Sequence, residues 1–151
     1  MPGDDIVPNA QVQATNAITI DATPEQVWPG LVQMGYQRAG WYTYPSVDRY
    51  LGHIENSSAD EIVPKLQDLA VSDTATDGEP GTAFYRVAVL EPPRLMVLHS
   101  TSHVRQQLEG RMSVDWTWTF ELRALDPTST RLVFRVRGTL PSGVSSPPGV
   151  W

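Results

Sequence analysis

Cysteine is absent from the 151 residues. The chain therefore has no disulfide framework, no thiolate metal site and no cysteine nucleophile, although zero cysteine fits any redox compartment. Basic residues are few: 11 Lys and Arg stand against 17 Asp and Glu, a formal net charge of −6. A nucleic-acid binder wants a basic face that displaces counterions from phosphates, and docking on an anionic membrane wants the same, so this balance argues against both. Long apolar runs are missing too. The longest aliphatic stretch is residues 87–90, far short of the ~20 that span a bilayer. The opening Met1-Pro2-Gly3-Asp4-Asp5 is acidic and has no apolar core, unlike a signal peptide. These absences predict a cytoplasmic protein without a membrane span or a nucleic-acid partner.

The length suits one domain, and such a chain buries roughly 68–70% of its unfolded surface without needing a metal or disulfide. A hydrophobic fraction of 40% with 19% charged residues disfavours wholesale disorder. Residues 1–15 are polar and turn-rich and read as a loose lead-in. Residues 16–21 (NAITID) alternate, with Ile18 and Ile20 on one face, and predict a short strand. Thr23-Pro24-Glu25-Gln26 then opens a helix: Thr23 can cap, Pro24 suits the first position and Gln26 can close a capping box. Val27, Leu31 and Met34 share its inner face, Gly35 suits a left-handed stop, and Pro29 should kink it. Residues 40–45 (GWYTYP) form an aromatic loop, and Val47, Tyr50, Leu51 and Ile54 predict a second short helix. Residues 57–80 read mostly as connection.

From Thr82 the period changes to two. Strands are predicted at 84–90 and 95–100 around the reversal Glu91-Pro92-Pro93-Arg94, then at 114–125 and 131–137 around Asp126-Pro127-Thr128-Ser129. Trp116, Trp118, Phe120 and Leu122 share one strand face, with Thr117, Thr119, Glu121 and Arg123 opposite. A strand, two helices and a run of antiparallel strands make an α+β layout.

This order resembles the START-like superfamily, the helix-grip or SRPBCC group that includes polyketide cyclase/dehydrase-like and lipid-transport-like proteins. The residues that carry the likeness are ITIDATPEQVW at 18–28, Gly40-Trp41-Tyr42, LEPPRL at 90–95, Trp118-Thr119-Phe120-Glu121-Leu122 and Thr130-Arg131-Leu132. It covers residues 16–138 and implies a curved antiparallel sheet, two short helices after the first strand, and an apolar cavity between sheet and helices. The family's long C-terminal helix is expected to be missing. Residues 139–151 carry three prolines and two glycines (TLPSGVSSPPGVW) and read as a tail. Gly30 also stands where a bulkier residue is expected. Without the gripped helix the Trp116 stripe needs another cover: a ligand, the tail, or a second copy in a homodimer.

Catalytic motifs are not found: the chain has no Gly-x-Ser-x-Gly elbow, P-loop or dinucleotide turn. His99 and His103 have i, i+4 spacing, but they leave a strand, where that spacing does not converge on a metal. Asp73-x-x-x-Asp77-Gly78 lacks the further oxygen ligands of a calcium loop. No metal and no cofactor are expected. Tyr85, Arg86, Arg111 and Arg135 lie on or beside strands; one of them facing a dry cavity could polarise a carbonyl, and salt bridges with Glu121 or Glu109 are the plainer account. The expected function is binding of a small apolar or amphipathic ligand, with Trp41, Tyr42, Tyr85, Trp116, Trp118 and Phe134 as its pocket. The alternatives are a polyketide cyclase/dehydrase-like enzyme, and an interaction module that pairs through the aromatic face.

Overall fold

A computed structural model describes residues 1–42, 58–78, 83–102 and 114–139. Its elements in chain order are β1 (Val12–Ile20), α1 (Pro24–Val32), β2 (Thr74–Thr76), β3 (Phe84–Glu91), β4 (Leu95–Ser100), β5 (Trp116–Asp126) and β6 (Ser129–Gly138), with a 3₁₀ turn at Pro64–Leu66. The strands form one six-stranded antiparallel sheet in the order β1-β6-β5-β4-β3-β2, so the fold is α+β as expected. The second predicted helix, around 47–54, and the tail from residue 140 lie outside the described residues. No helix among the described residues is long and apolar enough to cross a membrane.

The period-two pattern puts Tyr85, Val87, Met96, Leu98, Phe120 and Leu122 on one face of the sheet, where Leu31 and Met34 complete the core. The Trp116 stripe is thus covered in part by α1 and the residues after it, with Trp41 packed alongside. In α1 the Gln26 Oε1 accepts the Thr23 N–H at 2.9 Å, half of the expected capping box. Pro29 stands inside the helix, and the helix stops at the Gln33 cap, ahead of Gly35. The Arg38 guanidinium donates to the Val32, Met34 and Leu66 carbonyls, satisfying acceptors that the helix end leaves open.

Three expectations are corrected. The connection at 57–80 contains β2, whose three residues are too few to show a period. The first strand begins at Val12, four residues before the predicted start, because Ala14 adds little apolar signal. Nor do the residues before it hang loose: they lie on the sheet face opposite α1. Val7 is only 1% exposed, and a Cβ on Gly3 would lie 3.0 Å from the Val97 side chain. This cover buries Thr117, Thr119 and Glu121 on the face expected to be polar.

Arg135 and Arg137 fasten that N-terminal segment. Arg135 meets Asp4 Oδ2 at 2.7 Å, and Arg137 donates to the Val7 carbonyl at 3.0 Å. Glu121, expected opposite such an arginine, instead pairs with Arg123 at 2.7 Å. Burial pushes the Asp4 carboxyl up, but the hydrogen bond from the N-terminal ammonium and the charges of Arg135 and Arg137 outweigh it and hold the pKa below its ordinary 3.8. A carboxyl with a lowered folded pKa stabilises the fold above its unfolded value and loses that contribution as pH falls through the folded value. Asp4→Asn is therefore expected to cost about 1 kcal/mol at neutral pH. The deficit should shrink below about pH 4 and vanish in strong acid, as read from urea unfolding across pH. A deficit independent of pH would show that the carboxylate charge is not what holds the segment.

Candidate functional site

A cavity of about 570 Å³ opens between the sheet and α1. Its walls come from three places. β1 supplies Asn16, Ala17, Ile18 and Ile20; α1 and the residues after it supply Val27, Gly30, Leu31 and Met34; β5 and β6 supply Trp118, Phe120, Leu132 and Phe134. Trp41 and Tyr42 complete the lining. No charged side chain is among these described lining residues. The polar groups of the lining are the Asn16 amide on an exposed residue, the Tyr42 hydroxyl, and the Trp41 and Trp118 indole N–H groups, which are buried and have no hydrogen-bond partner among the described residues.

The chain positions Trp41 and Tyr42 through a glycine-bounded reversal. Gly35 and Gly40 bridge to each other with φ of +133° and +74°, values that L side chains rarely adopt. A Cβ on Gly40 would also lie 2.8 Å from Ser58 Cα, so the close approach excludes one. Gln33, fully buried at the α1 cap, donates to the Tyr42 hydroxyl and the Glu61 carbonyl and accepts the Val63 N–H at 2.9 Å. Tyr42 is thus tied to the helix end while its ring stands at the rim.

Of the six residues expected in the pocket, Trp41, Tyr42, Trp118 and Phe134 line the cavity. Tyr85 and Trp116 do not. Tyr85 is 2% exposed and lies behind the lining rings, 4.9 Å from Trp118 and 5.8 Å from Trp41 between centroids. Its burial, and then the negative charge of Asp77, push its hydroxyl far above the ordinary phenol value. It stays neutral and acts as a wall for Trp118. Trp116 sits over Gly138 on the neighbouring strand, at the end of the stripe. The aromatic lining is one packed set: Trp41 meets Trp118 edge-on at 5.3 Å, Trp118 meets Phe134 at 5.8 Å, and Phe134 stacks on Phe120 at 5.3 Å.

The expected pocket left out the β1 wall, the inner-face residues Val27, Gly30, Leu31 and Met34, and Phe120 and Leu132 on the sheet. The signal for Gly30 was present, since a glycine between Val27 and Leu31 leaves a gap where a helix presents its inner face. Among the groups weighed for chemistry, His99 reaches Asp115 at 2.6 Å, but neither residue lines the cavity. Arg86 lies over the Phe84 ring at 5.7 Å. Tyr44, His53, His103, Glu109 and Arg111 are outside the described residues. Among the described residues no three His, Asp or Glu side chains converge as a metal site would require.

No family model and no curated protein matches the chain. Solved structures do. Protein MLL2253 from Mesorhizobium loti is 19% identical, with 86% of this chain and 79% of that one aligned at a TM-score of 0.51. The chain shares its fold with MLL2253. Mll3558 from Rhizobium loti is 17% identical, over 89% of this chain and 85% of that one at a TM-score of 0.49. CalU16 from Micromonospora echinospora is 16% identical over 85% of this chain at 0.47, and the alignment spans 60% of the CalU16 chain.

Proposed function

We propose that the chain binds a small, neutral, apolar or amphipathic molecule in the cavity between sheet and α1. The observation that carries this is the lining itself: about 570 Å³ walled by aliphatic and aromatic side chains, with no charged group among those described. That volume lies in the range of ligand pockets. Apolar burial would supply most of the affinity at ~25 cal/mol per Å². The Asn16 amide at the rim suits a ligand with one polar edge facing outward. Desolvating a carboxylate or ammonium against these walls would be costly, which is why the reading specifies a neutral molecule. The four packed aromatic rings favour a ligand with a flat ring system. The START-like resemblance of residues 16–138 supports the same reading.

Titration with a neutral solvatochromic dye, Nile red, against an anionic one, anilinonaphthalene sulfonate, tests it. Expected is saturable Nile red binding with energy transfer from Trp41 and Trp118, and binding of the anionic dye weaker by about tenfold or more. Equal binding of the two dyes, or none of Nile red, would overturn the reading.

A further inference from the structure

We infer that the Tyr42 hydroxyl donates a hydrogen bond to the ligand, and that the ligand is a flat, neutral molecule bearing a ketone carbonyl. The inference rests on the ligand reading above and names the chemistry that the same cavity selects. The Gln33 amide decides the direction of the bond, because backbone partners fix both of its ends. Its Oε1 accepts the Val63 N–H at 2.9 Å, and a backbone N–H can only donate. Its Nε2 donates to the Glu61 carbonyl at 3.2 Å, and a carbonyl can only accept. The amide cannot be turned over without breaking both bonds, so it is Nε2 that meets the Tyr42 oxygen. That oxygen is the acceptor, and the phenol's own proton is left to donate. Among the described residues nothing accepts it, and Tyr42 lines the cavity.

The chain holds this donor in place at a cost. Tyr42 has φ +54°, a left-handed value that is unfavourable for a residue with a side chain and that concentrates at binding sites. Its N–H donates to Ser58 Oγ at 3.0 Å, so the residue is pinned at its backbone as well as at its hydroxyl. The remaining polar groups of the lining point to the same ligand. Trp41 and Trp118 add indole N–H groups, buried and without a partner among the described residues, and an indole nitrogen can only donate. Asn16, on an exposed residue, supplies the one side-chain carbonyl of the described lining. A hydroxyl carried inside by the ligand would bury a proton without an acceptor, whereas a ketone oxygen has lone pairs and no proton to place. A carboxylate would also accept, but its charge would be buried among apolar walls.

Fluorene, fluorenone and fluorenol share one shape and carry a methylene, a carbonyl and a carbinol at the same carbon. Equilibrium dialysis gives their affinities for the parent and for Tyr42→Phe, and fluorene, which has no oxygen, reports whether each protein still forms the cavity. The preference for fluorenone over fluorene is expected to be about five- to tenfold greater in the parent than in Tyr42→Phe, the contribution of one neutral hydrogen bond. Fluorenol should bind the parent more weakly than fluorenone, since its proton finds no acceptor inside. The infrared band of bound fluorenone needs no variant: its carbonyl stretch in the parent should fall below its value in hexane. An equal preference in the two proteins, fluorenol bound as tightly as fluorenone, or a hexane-like stretch would overturn the inference, while binding of fluorene leaves the ligand reading standing. Binding of Nile red with none of the three probes would overturn it too. If Nile red also fails to bind, the ligand reading falls first and takes this inference with it.

Discussion

Gly138→Val is expected to lower stability by about 3 kcal/mol, a large loss for a change at the end of a strand. Gly138 sits in β6 opposite Trp116 on β5 and Val12 on β1. A Cβ at this position would lie 2.1 Å from Trp116 Cε3 and 2.7 Å from Cζ3, so the indole rests where a side chain would stand. Glycine in a strand usually weakens it, and an aromatic ring laid across the bare backbone recovers the lost packing. Any side chain forces the indole off, and the stripe loses its outermost ring. Urea unfolding would show the midpoint fall, and tryptophan emission would shift to the red as Trp116 meets water. The double variant Gly138→Val/Trp116→Ala should cost less than the sum of the single changes, because removing the ring removes the clash. Strict additivity, or a Gly138→Val protein as stable as the parent, would show that the ring and the glycine do not act as a unit.

The long strands were legible because their alternation is strong. Residues 114–125 carry Trp, Trp, Phe and Leu at every second position, and β5 spans Trp116–Asp126. The α1 start was legible from Thr23-Pro24 and Gln26, which act locally. What was not legible depends on partners distant in sequence. β2 is strand only because β3 is there to bond it, and residues 1–11 look like a tail until Arg135 and Arg137, more than a hundred residues on, are known to hold them. The site divides the same way. Trp41 and Tyr42 stood out as an aromatic cluster and Trp118 as part of a stripe, but Trp118 and Tyr85 cannot be told apart by type. The layering decides it: Tyr85 is in the second row, Trp118 in the first. Trp116 shares a strand face with Trp118, yet the glycine across from it gives its ring another place to lie.

Gly30→Leu separates the cavity's function from the fold's stability, because the two should move in opposite directions. Gly30 is in α1, where glycine costs about 1 kcal/mol relative to a good helix former. It also lines the cavity, and a Cβ there would meet nothing within 4 Å. Leucine therefore enters without a clash, supports the helix and projects into the space proposed for the ligand. Stability should rise by about 1 kcal/mol, or about 2–4 °C in Tm for a domain of this size. Nile red affinity should fall about 10- to 100-fold, the cost of overpacking the bound ligand. Gly30→Ala is the matching control: it gains most of the helix propensity, fills little of the cavity, and should bind the dye nearly as the parent does. Had the glycine been retained only for packing, a residue with open space beyond it would be a defect with nothing to offset it. A Gly30→Leu protein that is more stable and still binds Nile red at parental affinity would place the dye elsewhere on the molecule and remove the cavity from the functional reading.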